Sequence, residues 1–118
     1  MGSADSSITY SELKALLEKS SDLLLIDVRS KEEVDRGKIP ASINIPVDCV
    51  EKELSLDPAA FKAKFGVQKP APDAPHLVFH CQIGRRGAMA VQKARALGFQ
   101  NARNYAGGYM EWSNKERK

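Results

Sequence analysis

The chain has 118 residues, of which 42% are hydrophobic and 28% are charged. This length is typical of one globular domain, and the composition excludes disordered, fibrous and multidomain chains. Subtracting the 15 acidic residues from the 18 basic ones gives a net charge of +3, and because the basic residues are dispersed among acidic ones we expect no nucleic-acid partner.

The first half of the chain predicts two capped helices and two strands. Residues 9–12 form a capping box, so a helix should begin at the second residue of this segment. The apolar run 23–28 predicts a strand buried on both faces of a parallel sheet. A second capping box, at residues 30–33, predicts a short helix that Gly37 ends. Residues 43–45 lie between two prolines and predict a second short strand.

The second half of the chain continues the alternation of helices and strands. Asp57 is a typical N-cap residue and precedes a proline, which predicts a helix from Pro58 to about Phe65, ended by Gly66. The remaining predicted elements are a strand at 77–80, a helix at 87–97, a strand at 102–105 and a short last helix that holds Trp112.

Strands that alternate with helices predict an α/β fold with a mostly parallel central sheet flanked by helices. We expect one domain over residues 7–114. Residues 1–6 are expected to be a disordered segment or an engineered start, and residues 115–118 a charged tail.

Ligands bind beyond the carboxyl ends of the strands in sheets of this kind. Two predicted strand ends carry reactive or charged side chains, namely Asp27 with Arg29 and His80 with Cys81. We therefore expect the functional site where these two strand ends meet.

The cysteines and the apolar segments bear on where the protein works. Cys49 and Cys81 are too few for a disulfide framework. No apolar run is long enough to span a membrane, and the sequence starts without a recognisable targeting segment. These features predict a reduced, cytoplasmic protein without membrane contact, and we expect it to be a monomer.

The segment from Cys81 to Gly87 joins a strand to a helix and contains the adjacent arginines Arg85 and Arg86. Backbone N–H groups converge at the N-terminus of a helix, and together with the two arginines they favour the thiolate form of the cysteine. The same loop would attract an anionic substrate. The simpler alternative, a buried cysteine that only packs in the core, accounts for neither the arginines nor the loop.

Four stretches of the sequence resemble the rhodaneses, a family of sulfurtransferases, and most closely the small thiosulfate:glutathione sulfurtransferases. They are residues 27–30, residues 37–46, the loop 81–86, and residues 104–108 with Trp112. The resemblance covers nearly the whole chain and implies a rhodanese-like three-layer domain.

The resemblance also implies the reaction. The thiolate of Cys81 takes the outer sulfur of thiosulfate as a persulfide, sulfite leaves, and a thiol such as glutathione or thioredoxin removes the sulfur, with cyanide as the acceptor in vitro. No metal or organic cofactor is required. The candidate substrate-binding residues are Gln82, Ile83, Gly84, Arg85 and Arg86. Asp27 and Arg29 are supporting residues, and the resemblance implies that Asp27 pairs with a loop arginine, most plausibly Arg86.

Two other functions remain as alternatives. The fold could serve as a persulfide carrier or a regulatory binding module with little turnover. A cysteine phosphatase is less favoured, because the phosphatase signature places its arginine one residue further from the cysteine, where this chain has Gly87. The two histidines and two cysteines have no zinc-ligand spacing, so we expect no metal site.

Overall fold

The computed structural model describes residues 7–20 and 22–116. The expected disordered segment 1–6 lies outside the described residues, as do residues 117 and 118 of the expected tail. Within these described residues, five strands form one sheet in the order β1-β5-β4-β2-β3, and every neighbouring pair is parallel. The strands are β1 (Ser7–Ile8), β2 (Leu24–Asp27), β3 (Ile43–Asn44), β4 (Leu77–His80) and β5 (Ala102–Tyr105).

In the part of the chain that the structure describes, six α-helices connect and follow these strands. They are α1 (Tyr10–Lys19), α2 (Lys31–Asp35), α3 (Val50–Leu54), α4 (Pro58–Phe65), α5 (Arg85–Ala96) and α6 (Gly108–Glu116). The predicted α/β class with a parallel sheet is therefore confirmed. The last helix extends to Glu116, two residues beyond the expected end of the domain.

Side-chain caps explain where three of the helices begin. Thr9 and Glu12 hydrogen-bond reciprocally at the start of α1, and Ser30 and Glu33 do the same at the start of α2. Asp57 accepts a hydrogen bond of 2.8 Å from a backbone N–H in the first turn of α4. These contacts satisfy N–H groups that have no acceptor within a helix, which is why the sequence predicted these three starts correctly.

Replacing Asp57 by alanine removes the side-chain cap of α4 and should lower the free energy of unfolding by about 1 kcal/mol. Serine at this position supplies an oxygen in a similar place, so Asp57→Ser should recover most of the loss. Urea denaturation of the three proteins measures both effects. Equal losses in the two variants would show that the cap contributes nothing.

Apolar side chains fill both faces of the sheet, because successive residues of a strand point to opposite sides. Ile26 and Phe79 pack on one face with residues of α3, α4 and α5. Leu25 and Val78 pack on the other face with residues of α1 and α6. Strands β2 and β4 are thus covered on both sides, as the continuous apolar runs predicted, and their carboxyl ends lie side by side.

Three features of the fold differ from the sequence prediction. The sequence did not predict β1, which pairs with β5, or α3, which follows a 3-10 turn at Val47–Cys49. Helix α5 begins two residues earlier than predicted, after Gly84 at its N-cap. Gly84 has no side chain with which to cap a helix, so the usual sequence signal for a helix start is missing here.

Candidate functional site

Cys81 directly follows β4, which lies between β2 and β5 in the sheet. Parallel pairing places Asp27 at the end of β2 opposite His80 at the end of β4. The two strand ends that the sequence singled out therefore meet at one edge of the sheet. The loop after Cys81 leads within four residues to the first turn of α5.

The sulfur of Cys81 accepts hydrogen bonds from two backbone N–H groups. The donors are Gly84, at 3.0 Å, and Gly87 in the first turn of α5, at 3.3 Å. Cys81 is 1% exposed, so water does not compete strongly for the sulfur. Donors directed at a sulfur near a helix N-terminus stabilise negative charge on it.

The carbonyl groups of the loop are held from outside by the start of α6. The N–H of Tyr109 donates to the carbonyl of Cys81 at 2.8 Å, and the N–H of Met110 donates to the carbonyl of Gln82 at 3.1 Å. Gly108 makes this approach possible: its φ is +65°, and a Cβ on it would lie 2.4 Å from the Gln82 oxygen. The loop is thus fixed on its outer side while its N–H groups face the sulfur.

Asp27 and Arg29 form a buried ion pair beneath the loop. Their closest approach is 2.8 Å, and the side chains are 0% and 3% exposed. The guanidinium of Arg29 also donates to the side chain of Gln82 at 3.3 Å and to the carbonyl of Gly37 at 2.8 Å, and its charge lies 4.4 Å from the centre of the Tyr109 ring. This pair connects the end of β2 to the loop after β4.

Arg86 is bound elsewhere. Its guanidinium makes two hydrogen bonds to Glu33 on α2, at 2.7 and 3.0 Å. The implied pairing of Asp27 with Arg86 is therefore wrong, because Asp27 is satisfied by Arg29 and Arg86 by Glu33. Arg85 is exposed beside the loop. The charge of Arg86 is balanced by Glu33.

The Glu33–Arg86 pair predicts a pH effect on stability. The hydrogen bonds from Arg86 lower the pKa of Glu33 to about 2. A carboxyl group whose pKa is lower in the folded than in the unfolded state stabilises the fold above its ordinary pKa of 4.5, and this contribution disappears as the pH falls toward 2. The free energy of unfolding should therefore fall less steeply over this range in Glu33→Gln than in the wild type.

The matched control for this experiment is Glu32→Gln, which removes the same charge from an exposed position on the same helix. Urea denaturation at a series of pH values compares the three proteins. If the Glu32 and Glu33 variants show the same pH dependence, the pair with Arg86 does not form in solution.

His80 is a buried part of the strand. Burial lowers the pKa of its ring below the ordinary value, so the ring is neutral at pH 7 and its 3.6 Å approach to Asp27 is not an ion pair. Its Nδ1 lies 3.2 Å from the carbonyl oxygen of Cys81. These contacts give His80 a structural place beside the loop.

The remaining candidate residues are Ile83 and Cys49. Ile83 is 54% exposed at the tip of the loop. Cys49 is half-buried and packs against the core.

Within residues 7–20 and 22–116, no three acidic, histidine or cysteine side chains form a group that could hold a metal ion. Over the same described residues, no helix has the length and apolar character needed to cross a bilayer.

Sequence reasoning did not find Glu33, Tyr109 or Asn104 as parts of the site. Glu33 was identified only as a helix cap, although its spare carboxylate oxygen was available to a cation. Tyr109 and Asn104 lie within or next to the recognised stretch 104–108, and only the fold brings them to the loop. The resemblance of residues 104–108 to the family drew attention to this region, but the sequence alone did not show which contacts these residues make.

Comparison with known proteins agrees with this geometry. The rhodanese-like domain family matches residues 9–115. A human protein named thiosulfate:glutathione sulfurtransferase is 50% identical over 109 residues, which cover 92% of this chain and 94% of the relative. A Saccharomyces cerevisiae protein of the same name is 34% identical, with coverage of 90% and 76%. The solved structure of the human single-domain sulfurtransferase TSTD1 superposes with a TM-score of 0.87 at 47% identity, covering 96% of this chain and 97% of that one.

Proposed function

The chain belongs to the rhodanese family and is a thiosulfate sulfurtransferase, and on that premise we propose that Cys81 carries the sulfur as a persulfide and passes it to glutathione. The observation that carries this proposal is the pair of N–H groups, from Gly84 and Gly87, that donate to the Cys81 sulfur. They favour the anion at each stage of the transfer and require no metal ion.

The first half of the reaction forms the persulfide. The Cys81 thiolate attacks the outer sulfur of thiosulfate, a new S–S bond forms, and the S–S bond within thiosulfate breaks. Sulfite leaves with the electron pair of that bond, so the total charge is conserved and the enzyme retains one sulfur. The N–H groups of Gly84 and Gly87 stabilise negative charge on the Cys81 sulfur, and the positive charge of the exposed Arg85 would attract the incoming dianion.

The second half returns the thiolate. A glutathione thiolate attacks the outer sulfur of the persulfide, the S–S bond to Cys81 breaks, and glutathione leaves as its persulfide. Thioredoxin is a protein acceptor of the same chemistry, and cyanide would serve in vitro. We further propose that the protein works as a monomer in the reducing cytoplasm, where small thiols such as glutathione stay reduced.

The test is the intact mass of the protein after incubation with thiosulfate and then with glutathione. The wild type and Cys49→Ser should each gain one sulfur atom and lose it again, with sulfite released in the first step. Cys81→Ser should gain none. Cys49→Ser is the matched control because it removes the other thiol and leaves the loop intact.

Each outcome bears on a different part of the proposal. Sulfur bound to the wild type but not removed by glutathione would contradict the glutathione step, and thioredoxin would then be added as the protein acceptor. Sulfur bound to Cys81→Ser would place the persulfide on Cys49. Failure of the wild type to gain sulfur with Cys81 reduced would overturn the persulfide mechanism.

A further inference from the structure

Asn104 lies on β5 beside the end of β4, is 7% exposed, and has no part in the steps derived above. Its side-chain Nδ2 donates a hydrogen bond of 3.0 Å to the carbonyl of Gly84. Its Oδ1 is buried and has no hydrogen-bond partner in the described part of the chain. A polar atom buried without a partner is unfavourable for folding, so its presence beside a reactive loop calls for an explanation.

The oxygen of Asn104 lies against the backbone of Gly87. A Cβ built on Gly87 would be 2.2 Å from this Oδ1 and 3.3 Å from the Cα of His80. Glycine is therefore required at this point by the close approach of the Asn104 amide. The amide contacts Gly84 with its nitrogen and Gly87 with its oxygen, and these are the two residues whose N–H groups donate to the Cys81 sulfur.

The hydrogen bond to Gly84 also fixes the direction of the next N–H group. The carbonyl of Gly84 accepts from Asn104 and from the N–H of Ala88 in α5. In a planar trans peptide the N–H of Arg85 points opposite to that carbonyl, and so toward the N-terminal end of α5. Asn104 thus fixes one peptide plane of the loop and the packing of the first turn of the helix.

We propose that Asn104 is a positioning residue for sulfur transfer: by holding the carbonyl of Gly84 and the backbone at Gly87, it keeps the N–H groups of Gly84 and Gly87 directed at the Cys81 sulfur, including when this sulfur carries the persulfide. This inference rests on the proposed function. It assigns Asn104 no contact with substrate. Asn104 acts through the backbone, from a neighbouring strand. Its Oδ1 has no hydrogen-bond partner within the described residues because it lies against the backbone of Gly87, where there is no room for a donor side chain.

The first test is the single-turnover rate of persulfide formation from thiosulfate in Asn104→Ala. We expect a rate about ten-fold to a hundred-fold below that of the wild type, because small displacements of positioned groups cost this much. The thiosulfate concentration at half-maximal rate should change much less, since Arg85 is untouched. The matched control is Asn101→Ala, which removes another asparagine amide that donates to a backbone carbonyl, that of Asp73 at 3.2 Å, at an exposed site. This control should react at the wild-type rate.

A purely structural role for Asn104 would lower stability without changing the hydrogen bonds to sulfur. NMR separates the two roles, because the amide proton shifts of Gly84 and Gly87 report directly on the N–H···S contacts. In the wild type both signals should move when the persulfide forms. In Asn104→Ala these movements should be much reduced, at a temperature where both proteins are fully folded.

Gly87→Ala provides a second variant that does not alter Asn104 itself. The added Cβ would displace the Asn104 amide from its position against Gly87, so the single-turnover rate of persulfide formation should fall to a similar extent. The double variant Gly87→Ala with Asn104→Ala should be no slower than the slower single variant, because both changes break the same contact. Rate losses that multiply in the double variant would overturn the inference.

The outcomes separate this inference from the proposed function. If the wild type gains no sulfur, the persulfide mechanism fails whatever Asn104 does. If the wild type gains sulfur and Asn104→Ala reacts at the same rate with the same amide shifts, only the role of Asn104 is overturned.

Discussion

Replacing Gly84 by alanine is expected to lower the rate of sulfite release from thiosulfate by about a hundred-fold or more. Gly84 has a φ of +98°, and a Cβ on it would lie 2.5 Å from the carbonyl oxygen of Ala106. The Cβ would be bonded to the loop backbone and the oxygen belongs to the backbone of Ala106, so the loop backbone must move to relieve this contact. The N–H of Gly84 would then leave the Cys81 sulfur, to which it now donates at 3.0 Å.

Gly66 provides the matched control for this substitution. It also has a positive φ, +77°, but a Cβ on it would meet no atom within 4 Å. Gly66→Ala should therefore lower the free energy of unfolding by about 1 kcal/mol through backbone strain alone, and leave sulfite release per folded molecule unchanged. Initial rates and urea denaturation of both variants make the comparison. Equal activity in the two variants would show that the position of the Gly84 N–H does not matter for the reaction.

Local sequence signals were sufficient for the elements whose starts are set by neighbouring residues. Thr9 with Glu12, and Ser30 with Glu33, satisfy helix N–H groups within one turn, so the sequence alone contains the cause. Strand β1 has no such local cause. It is two residues long and exists because it pairs with β5, near the other end of the chain. A pattern search over a few residues cannot detect it.

Local sequence predicts one part of the functional site, and only the fold determines the rest. A cysteine before a glycine-containing loop and a helix start predicts a sulfur near backbone N–H groups, because the loop and the helix are contiguous in sequence. The partners of the charged groups are not contiguous. Arg86 pairs with Glu33, which lies 53 positions earlier in the chain on α2, and only the fold brings the two together. Arg29 pairs with Asp27, two residues before it, an arrangement that a local search could have considered.

Asp27→Asn is expected to lower the free energy of unfolding by about 3 to 5 kcal/mol, because it leaves the buried charge of Arg29 without a counter-charge. Both side chains of this pair are at most 3% exposed. The asparagine has nearly the same shape, so the loss reports on charge rather than on packing. Urea denaturation measures this loss, and the partly exposed pair of Lys93 and Glu51, 3.6 Å apart, provides the control. Glu51→Gln should change stability by at most about 1 kcal/mol.

The same substitution distinguishes two roles of the ion pair. Arg29 reaches Gln82 in the loop and Gly37 before β3 in addition to Asp27. Once released from Asp27, it should hold Gln82 less firmly, so sulfite release per folded molecule should also fall. Replacing both partners, as in Asp27→Leu with Arg29→Met, removes the stranded charge and should recover part of the lost stability. Activity should not recover in this double variant, because the hydrogen bond from Arg29 to the side chain of Gln82 is then lost. Recovery of both would mean that the ion pair stabilises the fold without shaping the loop.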